Sequence, residues 1–200
     1  SFELYSHYYW CKFLLDGFQS AEQIFKLIEG HARTVEEKVE LYVDRASLAT
    51  AYYTDEEAVR SGLAALQLLG LQIPMRPSEE ELTQELAATR GLLADKAIDF
   101  LLHLPPMTDP WALQTIGVLG KLIPPATVFD PGLFVYVVLQ MVKLSLQYGT
   151  TALSALAYAG YSFLCVTQLR DFTAGISFQK LAMDLEARHE GSVRYMVDYF

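Results

Sequence analysis

The chain has 200 residues, 52% hydrophobic and 20% charged, with a formal net charge of −9. This composition excludes a disordered chain, which is poor in apolar residues and rich in like charge. The acidic balance argues against a nucleic-acid partner, and two Cys cannot make a disulfide scaffold or a four-thiolate zinc site. Mean hydropathy is nevertheless positive, at +0.20. Residues 1–100 hold 17 acidic and 9 basic residues, and residues 101–200 only 7 and 6. The apolar character therefore sits in the second half.

Helix punctuation runs through the whole chain. A first helix is expected over 3–16, closed by Asp16-Gly17. Four capping boxes, Ser20…Gln23, Thr34…Glu37, Thr54…Glu57 and Ser78…Glu81, predict helix starts at 20–33, 35–53, 55–70 and 78–103. Gly70, followed by Leu71 and Pro74, is a natural stop for the third of these, and Gly91 is the weak point of the fourth. Asp109-Pro110 and Asp130-Pro131 open helices over 109–123 and 131–148, with Asp as cap and Pro in the first turn. Pro124-Pro125 and Gly149 are read as their stops. Further helices follow at 151–168, 172–189 and 192–200. No segment alternates with period two between turn signals, so no strand is expected.

Leu144 to Leu169 carries no charge, which is long enough for a membrane span. The Gly149-Thr150-Thr151 stop-and-cap cluster divides it, and neither end has the basic flank of a topogenic helix. It is read as two buried helices, and no membrane partner is expected.

The helices repeat in pairs. Phe18, Ala21, Phe25 and Ile28 follow the first acidic turn. Ala58, Gly62 and Ala65 follow the second, and Phe172, Ala174, Gly175, Phe178 and Ala182 a later one. Ala21 to Ala58 is 37 residues, and Ala65 to Ala182 is 117, three steps of 39. Small residues at these positions would let the two helices of a hairpin approach closely. With Tyr5 and Tyr8 in the first helix and Tyr42 and Ala46 in the third, the pattern resembles the tetratricopeptide repeat. Residues 71–150 depart from it. The resemblance implies an all-α, right-handed superhelix of antiparallel hairpins. Its expected parts are two hairpins over 1–72, divergent hairpins over 73–150, and a hairpin plus an unpaired terminal helix over 151–200.

A second resemblance spans most of the chain. It rests on Leu102 to Pro110, Leu122 to Ala126, Asp130 to Phe134, Met141 to Gly149 and Ala157 to Tyr161. These runs resemble the helical region of large bacterial signalling proteins. Such proteins join a serine/threonine-kinase-like domain, an AAA-type ATPase, this helical region, often a GAF domain, and a histidine kinase. The resemblance implies a cytoplasmic, non-catalytic regulatory segment of an ATP-dependent kinase, working through neighbouring domains or a protein partner. The alternative is a small-molecule-sensing domain, with a pocket near Trp111 and Tyr158. The ends, Ser1-Phe2-Glu3 and Met196 to Phe200, read as those of an excised piece. Met196, Val197 and Phe200 would then allow self-association through the terminal helix.

No catalytic constellation stands out. A Walker-type phosphate loop and a Gly-rich dinucleotide turn are missing. His7, His31, His103 and His189 show no metal-binding spacing, so no metal or cofactor is expected. Cys11 and Cys165 are read as core thiols. Glu36-Glu37, Glu56-Glu57 and Glu79-Glu80-Glu81 are read as first-turn carboxylates at the positive end of a helix. The one functional candidate is the aromatic set Tyr5, Tyr9, Trp10, Tyr42, Tyr52 and Tyr53, as an interaction surface; core packing is its alternative.

Overall fold

The computed structural model describes residues 2–52 and 54–189, the side chains at 2–6, 18 and 19 excepted. Among them are ten helices and no strand, so the fold class is all-α. The helices are α1 (Phe2–Asp16), α2 (Phe18–His31), α3 (Val35–Ala51), α4 (Asp55–Leu68) and α5 (Glu79–Leu93). They continue with α6 (Ile98–Leu102), α7 (Pro110–Phe129), α8 (Pro131–Tyr148), α9 (Ala152–Thr167) and α10 (Phe172–Arg188). The expected helix at 192–200, with Met196, Val197 and Phe200, lies outside the described residues.

Most starts are set by the expected caps. Thr34 and Ser78 form full capping boxes with Glu37 and Glu81. Asp109 and Asp130 accept from Ala112 and Leu133 N–H groups, with Pro in the first turn. Two boxes do not form. Ser20 lies inside α2, whose cap is Gly17. Thr54 is the cap residue of α4, but its hydroxyl donates to the Ala49 carbonyl at 2.8 Å, closing the α3–α4 turn instead.

Two boundaries also differ. The 78–103 segment breaks at 94–97, not at Gly91. An exposed Gly inside a helix costs only ~1 kcal/mol, whereas the break falls where the packing partner changes. α5 lies on α8, and α6 lies on α10. Pro124 and Pro125 do not end α7, which continues to Phe129. Each Pro removes a backbone donor. The turn beyond them is kept by Ala126, fully buried, whose carbonyl accepts from Asp130 N–H at 3.0 Å.

Four pairs, α1–α2, α3–α4, α7–α8 and α9–α10, pack together across short turns and therefore run antiparallel. Consecutive pairs stack, α2 on α3, α4 on α7 and α8 on α9. Glycines set several of these contacts. A Cβ on Gly175 would meet Val166 within the α9–α10 pair, at 2.6 Å. Those on Gly62 and Gly160 would meet Leu122 and Val138, at 2.5 and 2.7 Å. The small residues thus work between pairs as well as within them.

The main core is built from α4, α7, α8, α9 and α10, and a smaller aromatic core from α1, α2 and α3. Along α8, Leu133 to Ser145 is buried except at Tyr136, Gln140 and Lys143. Those three share one face at helical spacing. Gln140 and Lys143 both donate to Glu85 of α5. Among the described residues only α7 is long and apolar enough to cross a membrane, and more than half of it is buried here. The uncharged 144–169 run is split between α8 and α9 by Gly149.

The turn at Gly149 carries a second load. Thr150 N–H donates to the Pro105 carbonyl at 2.8 Å, and Met107 N–H donates to the Thr150 carbonyl at 2.9 Å. This single parallel bridge staples the loop after α6 to the α8–α9 turn. Gly149 has φ 102° and ψ −174°, a region open essentially to Gly alone. An added Cβ would lie 2.2 Å from the Pro105 oxygen. Gly149→Ala is therefore expected to destabilise by about 2–4 kcal/mol, from strain plus loss of the bridge. Gly91→Ala, at an open helix-interior site, is expected to stabilise by about 0.5–1 kcal/mol. Urea unfolding of the two variants beside the parent checks both signs.

Candidate functional site

The aromatic set divides once its members are placed. Tyr9 is fully buried, packed on Phe25 at 6.1 Å. Phe25 in turn meets Tyr42 edge-on at 5.2 Å, and Trp10 packs half-buried against the same cluster. Tyr9 is thus core, not surface, because α1 turns it under α2 and α3. Tyr52 stands half-exposed at the rim, with its ring edge-on to Phe13 at 4.5 Å. The Tyr5 side chain and Tyr53 lie outside the described residues.

A charged hub ties this cluster together. Arg45 of α3 donates to both oxygens of Glu22 of α2, at 3.0 and 3.2 Å. The same guanidinium reaches Glu57 and Ser61 of α4, each at 3.1 Å, and lies 4.8 Å above the Phe25 ring. Tyr42 adds a second α2–α3 tie by donating to Glu29. Burial and that hydrogen bond push the Tyr42 hydroxyl up to about 12. Sequence reading missed this hub, since Glu22, Arg45 and Glu57 have no helical spacing.

The exposed apolar residues of this region are others. Tyr8, Cys11 and Leu15, at i, i+3 and i+7, share one uncovered face of α1. Cys11 was expected in the core and is exposed, because the inner face of α1 is taken by Tyr9 and Phe13. Leu27 of α2 and Val35 of α3 are also about half exposed.

A cleft of about 1030 Å³ opens elsewhere, between the α5–α6 segment and the α9–α10 pair. Trp111 and Tyr158, the expected pocket residues, do not line it. Trp111 donates to the Leu69 carbonyl at 2.7 Å, and Tyr158 is buried against Phe178 at 6.0 Å. The cleft floor holds Tyr161 and Cys165 of α9, and its mouth holds Arg90, Lys96 and Asp171. Asp171 caps α10 by accepting from Ala174 N–H, and its own N–H donates to the Cys165 carbonyl at 2.9 Å. Burial, then the Asp171 charge, pushes the Cys165 thiol up to about 11, so it is a poor nucleophile.

The acidic clusters all fall in the first turns of α3, α4 and α5. Backbone and cap hydrogen bonds hold Glu36 and Glu81 below the usual carboxylate range. Their contribution to stability is present above that range and is lost as pH falls through their lowered pKa values. His31 and His103 bond their own helices, through the Leu27 and Asp99 carbonyls, each at 2.7 Å. Among the described residues no group of His, Cys, Asp and Glu is arranged to hold a metal ion. Comparisons with known protein families, curated proteins and solved structures find no match for this chain.

Removing the hub's centre should be costly even though Glu22 and Glu57 keep some solvent. Arg45→Ala is expected to lower stability by about 2 kcal/mol, the scale of partly exposed charge-assisted hydrogen bonds. Arg45→Lys should recover less than half, because an ammonium cannot make the two-oxygen contact. Thermal melts of the two variants check the order.

Proposed function

We propose that this chain is a helical-repeat interaction segment of a multidomain, ATP-dependent signalling kinase. In this reading it has no catalysis of its own and works in the cytoplasm. It couples neighbouring domains or holds a protein partner, on a tetratricopeptide-like superhelix. The observation that carries the proposal is the serial stacking of helix pairs, α2 on α3, α4 on α7 and α8 on α9. Stacks of this kind offer extended surfaces and bury a core only through their neighbours. The first pair then leaves Tyr8, Cys11 and Leu15 uncovered on α1. Tyr and Leu on a firmly packed helix suit a protein interface, where aromatic anchors give much contact area at small entropic cost.

A second reading, small-molecule sensing, is favoured by one observation. The cleft beside α9 and α10 combines an apolar floor with charged groups at its mouth.

The interaction reading is tested in the intact parent protein. Tyr8→Ser with Leu15→Glu should leave the melting temperature of the isolated segment within a few degrees, since both side chains are exposed. The same pair should change stimulated autophosphorylation of the parent several-fold. Unchanged phosphorylation, or ATP hydrolysis by the purified segment alone, would overturn the proposal.

A further inference from the structure

We propose that the cleft between α5–α6 and α9–α10 binds an amphipathic carboxylate, its head held by Arg90 and the Tyr161 hydroxyl and its apolar body on Leu93, Ile98, Leu169 and Phe178. The inference gives the sensing reading a ligand class and rests on it; the interaction reading does not depend on it.

The charge pattern is the first argument. The chain carries a net −9, yet the cleft gathers two cations, Arg90 and Lys96, against one carboxylate, Asp171. Neither cation forms an ion pair with a described residue. One oxygen of Asp171 is already committed to the first turn of α10. The remaining field at the mouth favours an anion.

Tyr161 is the second argument. Its side chain lines the cleft and is only 3% exposed. Its ring is fixed edge-on to Phe178 at 4.8 Å, so the hydroxyl has a set direction. That hydroxyl has no hydrogen-bond partner among the described residues, while Arg90 and Asp171 both act on its charge. The oxygen keeps contact with solvent at the cleft, so it can donate to a ligand there. A carboxylate between Arg90 and Tyr161 would take one donor from each side.

Shape is the third argument. Ala87 and Gly91 keep the α5 wall low, and the cleft volume of about 1030 Å³ suits a small organic molecule. The lining is mixed, and Leu93, Ile98, Leu169 and Phe178 give its apolar part a seat for an alkyl or aryl body.

Calorimetric titration of the purified chain with decanoate and 2-naphthoate tests the site, with decanol and naphthalene-2-methanol as uncharged counterparts. Saturable binding of at least one carboxylate is expected, about tenfold or more tighter than its alcohol, the scale of a charge-assisted hydrogen bond. Arg90→Gln is exposed, should fold normally, and should lose about that factor. Tyr161→Phe should lose several-fold with an unchanged melting temperature, and Lys121→Gln, on the far surface, should lose nothing. No saturation by either carboxylate at millimolar concentration would overturn the proposal, as would equal affinity for acid and alcohol or full affinity in R90Q. Such a failure would leave the phosphorylation response to Y8S/L15E untouched, so the two readings stand or fall apart.

Discussion

Helix α8 has almost no side left for water. From Leu133 to Ser145 its residues are buried except along Tyr136, Gln140 and Lys143. A helix apolar on most of its circumference must be covered from several directions at once. Helices α7 and α9 cover two of them, as the preceding and following members of the stack. The polar stripe is covered by α5, which arrives with Glu85 to receive Gln140 and Lys143. The demand for cover on α8 therefore explains why 79–102 leaves the pairwise order. It also explains why the cleft exists, since α5 and α6 lie across the stack instead of filling it.

The two halves of the molecule are held by different physics. In the second half, close approach dominates, with Gly160 against Val138 and Gly175 against Val166. Its buried serine hydroxyls are satisfied locally, as when Ser162 donates to the Gly175 carbonyl and Ser145 to Ser154. The first half has a smaller core, of which Tyr9, Phe13 and Phe25 are the largest members. There the joints between helices are ionic or hydrogen-bonded, through Arg45, Glu22, Glu57, Tyr42 and Glu29. Salt weakens these joints, because solvent-accessible ion pairs are screened and apolar contacts are not.

Much of the fold was legible because helix ends are written locally. Thr34, Ser78, Asp109 and Asp130 each meet their N–H partner within three residues, so no tertiary knowledge is needed. The failures are those where a distant group decides. Pro124-Pro125 reads as a stop until the burial of Ala126 is known. Thr54 reads as a cap until its hydroxyl finds Ala49. The candidate site was less legible. Aromatic spacing located the α1–α3 cluster but could not separate buried Tyr9 from exposed Tyr8, one residue away. Nothing in the sequence brings Arg90 to Tyr161, 71 positions on, because that meeting depends on α5 crossing the stack.

The α5–α6 segment is tied at both ends. Just before its start, Arg76 pairs with Asp130 at 3.2 Å and lies over the Phe129 ring, and at its finish the Thr150–Pro105 hydrogen bond and Arg188 on the Leu102 carbonyl hold it down. Between these anchors α5 packs on α8 and α6 on α10, and the break between the two helices falls at 94–97. The α6 wall of the cleft is thereby joined to the α8–α9 turn, through a tether only a few peptide units long.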